Sequence, residues 1–133
     1  MILSDTHTLI WLTEGNENLG EQSENIIHHA FTEKRFFVSA ISFRETAMLC
    51  QKQRVYLRIS VSEWRNKLLS RGLQEIPLTG EIAVQAAQLQ NFHADPADRF
   101  IVATALLYAA TLITADKLIL NWKGQLQRHN AKL

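Results

Sequence analysis

The segment Phe100–Ile113 constrains the fold of this chain more than any other, because its 14 residues carry no charge and only two threonines. That is short of the roughly 20 apolar residues that span a bilayer, so the segment has to be buried inside protein. Asp98–Tyr108 reads as a helix whose near-continuous apolar surface (Phe100, Ile101, Val102, Ala105, Leu106) demands cover on most sides. Thr111–Thr114 follows it as a strand ending at Ala115-Asp116. A helix of this kind running straight into a buried strand belongs to a layered α/β core.

The rest of the chain repeats the alternation. Met1–Ser4 is a short apolar start ending at Asp5, and Thr8–Leu12 reads as a helix broken by Gly15-Asn16. Gly20–Phe31 is a second helix with Ile26, Ile27 and Ala30 as its stripe, and Arg35–Ala40 is a buried strand. Ser42-Phe43-Arg44-Glu45 fits a capping box, with helix to about Gln53. Val61–Ser70 is a helix, Leu73–Ile76 a strand, and Thr79-Gly80-Glu81 opens a helix to about Gln90. The expectation is an α/β sandwich around a mainly parallel sheet, in one domain covering 1–133.

Charge is unevenly distributed. Residues 1–33 hold six acids and no Lys or Arg, whereas residues 34–71 hold nine bases against Glu45 and Glu63. A net charge of +1 therefore does not exclude a basic face that attracts phosphates. The lone Cys50 excludes an intramolecular disulfide and a cysteine-based zinc site, and its apolar setting, Ala47–Cys50, predicts a buried thiol. No signal peptide is legible at the start, and the chain reads as a cytoplasmic protein.

Four acids occupy comparable positions. Asp5 closes the first strand, Glu45 lies one turn into the helix after the second, Asp98 opens the apolar helix, and Asp116 follows the strand Thr111–Thr114. In an open parallel sheet these positions converge on one edge, where ligands bind. A cap or a turn explains any one of these acids but does not require one at every major strand end. Clustered carboxylates repel, and an oxygen-only donor set favours Mg²⁺ or Mn²⁺ as the counter-charge.

Four segments carry a resemblance. Asp5-Thr6-His7-Thr8-Leu9-Ile10-Trp11-Leu12, Ser39-Ala40-Ile41-Ser42-Phe43-Arg44-Glu45, His93-Ala94-Asp95-Pro96-Ala97-Asp98-Arg99-Phe100-Ile101-Val102-Ala103-Thr104-Ala105 and Leu112-Ile113-Thr114-Ala115-Asp116 are similar, in that order, to the motifs of PIN-domain proteins, particularly VapC-type toxins. No single motif is specific, but four in order are. The resemblance implies a PIN-like three-layer sandwich and an endoribonuclease dependent on Mg²⁺ or Mn²⁺. It implies Asp5, Glu45, Asp98 and Asp116 as the acidic site, with Asp5 and Asp98 holding the metal and Glu45 and Asp116 reaching it directly or through water. Thr114 matches a Ser/Thr whose hydroxyl holds a water, and Asp95, an extra acid, is a supporting residue or a cap. Ser4 stands where the family has an apolar residue. An antitoxin partner and a homodimer are also implied.

On that reading Arg44, Lys52, Arg54, Arg58 and Arg65 carry the RNA backbone to the acidic edge, and Arg99 points either at substrate or at a carboxylate. His7 and His93 are packing or supporting residues beside the acids, and Trp11, Trp64 and Trp122 belong to the core or an interface. Two rival readings remain: a catalytically silent module on the same scaffold, and a phosphotransfer or receiver-like domain. The second wants paired acids after the first strand, and Asp5-Thr6-His7 offers one.

Overall fold

In the computed structural model, which describes residues 1–133, strands and helices alternate through most of the chain. The strands are β1 (Ile2–Ser4), β2 (Phe36–Ser39), β3 (Gln74–Ile76), β4 (Thr111–Thr114) and β5 (Arg128–Asn130). The helices are α1 (Thr6–Glu14), α2 (Glu21–Thr32), α3 (Ile41–Gln51), α4 (Val61–Ser70), α5 (Gly80–Gln88), α6 (Pro96–Leu107) and α7 (Lys117–Leu120). No helix is long and apolar enough to cross a membrane.

The sheet runs β3-β2-β1-β4-β5 with every pair parallel. Leu3 stands level with Phe37 and Leu112, so these three share one face, while Ile2, Phe36, Val38 and Ile113 share the other. The first face packs beneath α5 and α6 through Ile82, Ala86, Ile101, Val102 and Ala105. The second is covered by Leu9 and Ile10 of α1, Ile27 of α2, and Trp64 and Leu68 of α4. Helices on both faces explain why β1, β2 and β4 are so apolar.

Strand order reverses at β1. From it the chain first builds outward to β2 and β3, then returns to place β4 on its other side. The crevice between the carboxyl ends of β1 and β4 is therefore the topological switch point, where open α/β sheets bind ligands.

Two local readings are corrected, and one strand is new. Ser42 does not cap a helix: α3 already begins at Ile41, and its entry is fixed by the Ile41 amide donating to Ser39 Oγ at 3.2 Å. Ser42 is fully buried instead and accepts from the Thr6 hydroxyl at 3.0 Å, so α1 and α3 are joined there. Cys50 is half-buried rather than buried, because it lies in the last turn of α3. Finally, β5 has no apolar pattern; it is an edge strand held by backbone pairing to β4, which the sequence Arg128-His129-Asn130 does not announce.

Candidate active site

Asp5, Glu45, Asp98 and Asp116 all line one pocket at the switch point, together with Thr6, His7, Trp11, Asp95, Ala115 and Lys132. Each acid arrives by a different route. Asp5 is the N-cap of α1: Oδ1 accepts from the Thr8 amide at 2.9 Å, and Oδ2 accepts from the Thr114 hydroxyl across the β1–β4 seam. The adjacent Ser4 is buried and donates to the Asp5 carbonyl at 2.8 Å, which gives the family's departure at this position a partner. Thr114 Oγ1 also accepts from the Asp116 amide at 3.0 Å, so one hydroxyl ties the first and fourth acids together. Asp116 caps α7, its Oδ1 accepting from Leu118 and Ile119.

Glu45 and Asp98 cap nothing. Glu45 is in the second turn of α3 and half-buried. Asp98 is in the first turn of α6, with Oδ2 at 2.7 Å from His93 Nε2. The cap of that helix is Asp95, whose Oδ1 accepts from the Ala97 and Asp98 amides. Pro96 at the first helical position fits this arrangement, since it has no amide to satisfy.

The electrostatics are those of a cluster short of positive charge. Burial pushes the Asp5 carboxyl above its usual range, against the pull of the Thr114 and Thr8 bonds. Burial likewise raises Glu45, opposed by the Thr6 hydroxyl and reinforced by Asp95 and Asp5. Asp98 is pushed up to about 6, first by burial, with the His93 bond opposing and Asp95 and Asp116 adding to it. A divalent cation among these oxygens would supply the missing charge and return the three carboxyls to their ionised forms.

The residues present fit a hard cation: four carboxylates on separate elements and no thiolate. Donor atoms of His93, Asp98 and Asp116 also lie within 4.8 Å of one another. His93 Nε2 is already engaged with Asp98, so the histidine fixes the carboxylate's orientation, as groups behind a metal ligand do.

Several predicted roles change in place. Arg99 turns to neither substrate nor carboxylate: its guanidinium donates to the carbonyls of His93, Ala86, Leu89 and Phe92 and lies over the Phe92 ring, pinning the α5–α6 connection. Arg65 forms a two-pronged pair with Glu75 at 2.8 Å, and its guanidinium holds that carboxyl below the usual range. Arg58 lies in a separate depression with Tyr56, Trp64 and Lys67. Arg44, Lys52 and Arg54 do meet, in a groove that shares Glu45 and Asp95 with the acidic pocket. Trp64 is buried, while Trp11 and Trp122 are half-buried. Sequence reasoning missed Thr6 and Lys132 as lining residues of the pocket, because a hydroxyl in the first turn of α1 and a lone lysine past β5 carry no spacing cue that separates them from other helix or surface residues.

An all-parallel sheet with helices on both faces and carboxylates gathered at its switch point places the chain among the open α/β proteins. A sequence model of the PIN domain matches residues 2–121, and the chain belongs to that family. Among its relatives is the protein called Ribonuclease VapC22 of Mycobacterium tuberculosis, 32% identical over 117 residues, 87% of each chain. The fold is shared with a toxin–antitoxin complex from Klebsiella pneumoniae (TM-score 0.65, 20% identity, 98% of both chains). It is also shared with VapBC2 from Rickettsia felis bound to a promoter DNA fragment (TM-score 0.71, 16% identity, 98% of this chain and 100% of that one). Membership in the PIN family sets the receiver-like reading aside.

Proposed function

We propose that the chain is a metal-dependent endoribonuclease and the toxin of a toxin–antitoxin pair. The observation that carries this reading is the convergence of Asp5, Glu45, Asp98 and Asp116 on one pocket, with three of their carboxyls raised. Asp5 and Asp98 would hold Mg²⁺ or Mn²⁺, with Glu45 and Asp116 completing the acidic set around it. When bound, the ion would supply a water of lowered pKa and positive charge to offset that of the phosphorane-like transition state.

The chain's own residues do the rest. Thr114 fixes Asp5 and the backbone of Asp116 in one frame, and His93 fixes Asp98. Glu45 and Asp116 orient water for attack on phosphorus; the bond to O3′ breaks, and O3′ takes a proton as it leaves. The products are 5′-phosphate and 3′-hydroxyl ends. Arg44, Lys52 and Arg54 lead the RNA backbone toward Glu45 along the shared groove. The partners that go with this reading are RNA, a cognate antitoxin and a second copy of the chain, acting in the cytoplasm as one domain.

The test is incubation of the purified protein with single-stranded RNA in Mg²⁺ or Mn²⁺, followed by end analysis. Cleavage should stop on chelation and leave 5′-phosphates. A 2′,3′-cyclic phosphate would reject water as nucleophile. No cleavage together with no ion uptake by calorimetry would favour the catalytically silent module.

A further inference from the structure

We propose that Lys132 is a positioning residue of the acidic pocket, its ammonium holding a phosphate oxygen of the bound nucleic acid. The inference rests on the ribonuclease reading only for what the anion is. A pocket walled by carboxylates repels a phosphodiester, and a cation among the acids is consumed by their charge. A second positive group that stays unpaired is what such a pocket needs to hold its substrate.

Lys132 is the one Lys or Arg among the residues lining the pocket. Its ammonium takes part in no ion pair with the neighbouring acids. Arg44, Lys52 and Arg54 line a different groove, so they do not duplicate it.

The backbone beneath Lys132 is fixed from both sides, which separates it from an ordinary surface lysine. The Ala131 amide donates to the Thr114 carbonyl at 2.9 Å, at the carboxyl end of β4, and Ala131 is fully buried. The Lys132 amide donates to Asn130 Oδ1 at 3.0 Å, and the Leu133 amide to the Asn130 carbonyl at 3.1 Å. From the other side, Gly20 donates to the Ala131 carbonyl at 2.8 Å and Ser23 to the Leu133 carbonyl at 3.3 Å, while Ser23 Oγ donates to Asn130. Gly20 is required for this approach: a Cβ there would stand 2.1 Å from the Leu133 carbonyl carbon and oxygen. Ala131, the residue before Lys132, is thereby held against Thr114, which braces Asp5, and Lys132 follows it at the rim of the pocket.

The test uses the full chain and a short fluorescent single-stranded RNA in Ca²⁺, read by anisotropy as a function of salt, with cleavage in Mn²⁺ measured alongside. Lys132→Ala should weaken binding about tenfold or more, the scale of one charge-assisted hydrogen bond. It should also flatten the salt dependence by about 0.7 in log–log slope, the signature of one lost phosphate contact on a single strand. In cleavage the loss should fall on KM, and Lys132→Arg should restore both readouts. The proposal is overturned if Lys132→Ala binds as the parent does, if the salt slope is unchanged, or if the loss comes with a lowered unfolding temperature. If the parent binds through Lys132 but cleaves no RNA, the ribonuclease reading falls and the phosphate contact stands.

Discussion

The entrances to α1 and α6 solve the same problem in two ways. Each places a carboxylate of the acidic pocket at a helix N-terminus. At α1 one residue does both jobs, since Asp5 caps the helix with Oδ1 and faces Thr114 with Oδ2. At α6 the jobs are divided: Asp95 caps, and Asp98, three residues on, is left to His93. The difference arises from the chain's path. Asp5 follows β1 directly and has a single position in which to serve, whereas α6 is reached through a loop with room for a second acid. A structural and a chemical role can therefore be separated by mutation at α6 and not, by simple truncation, at α1.

The largest effect should come from comparing Asp98→Ala with Asp5→Ala and Asp5→Asn. All three should reduce cleavage by roughly a thousand-fold, the scale of losing one charge-stabilising group at a reacting centre. Their unfolding temperatures should differ. Asp98→Ala should leave the metal-free protein as stable as the parent or more so, because it removes a carboxyl raised by burial. Asp5→Ala should forfeit a cap bond of about 1 kcal/mol, which Asp5→Asn retains. Equal stability for Asp5→Ala and Asp5→Asn would break the comparison.

The next effect is pH dependence. Asp98 titrates near 6 in the folded chain, above its ordinary value of 3.8. The stability it contributes is fully present below the ordinary value and is lost as pH rises through about 6, when a buried carboxylate must form. Metal-free protein should therefore melt lower at pH 7 than at pH 5, and Asp98→Asn should flatten the difference. Mn²⁺ stabilisation should run the opposite way and fade below pH 6, because protons compete for the same oxygens. Melting curves with and without the ion at both pH values check both signs.

The smallest effect should be at Asp95→Ala. Loss of the α6 cap should cost about 1 kcal/mol in stability, while cleavage falls far less than in Asp98→Ala. Cleavage lost as completely as with Asp98→Ala would show that Asp95 also serves the ion.

Much of the fold was legible because buried parallel strands and amphipathic helices write their periodicity into the sequence. Thr111–Thr114 and Val61–Ser70 were read to the residue. What failed was governed by contacts far along the chain. Ser42-Phe43-Arg44-Glu45 satisfies a local capping pattern, yet Ser42 is taken by Thr6, 36 positions away. Arg99 looks like a site residue because it adjoins Asp98, but a helix turns neighbours to different faces, and its guanidinium meets four carbonyls in the last turn of α5 and the loop after it. The basic block likewise divided once folded, into a groove beside Glu45, a pair with Glu75 and a separate depression.

The sequence by itself determined which residues end the strands, and therefore that acids gather at the carboxyl edge, because strand ends in a parallel sheet share an edge whatever the strand order. Only the tertiary structure decided that β4 lies beside β1. That pairing puts the Thr114 hydroxyl against the Asp5 carboxyl and, through β5, holds Lys132 at the same pocket. Hydrogen bonds between strands over a hundred residues apart in the chain depend on topology, which no local spacing records.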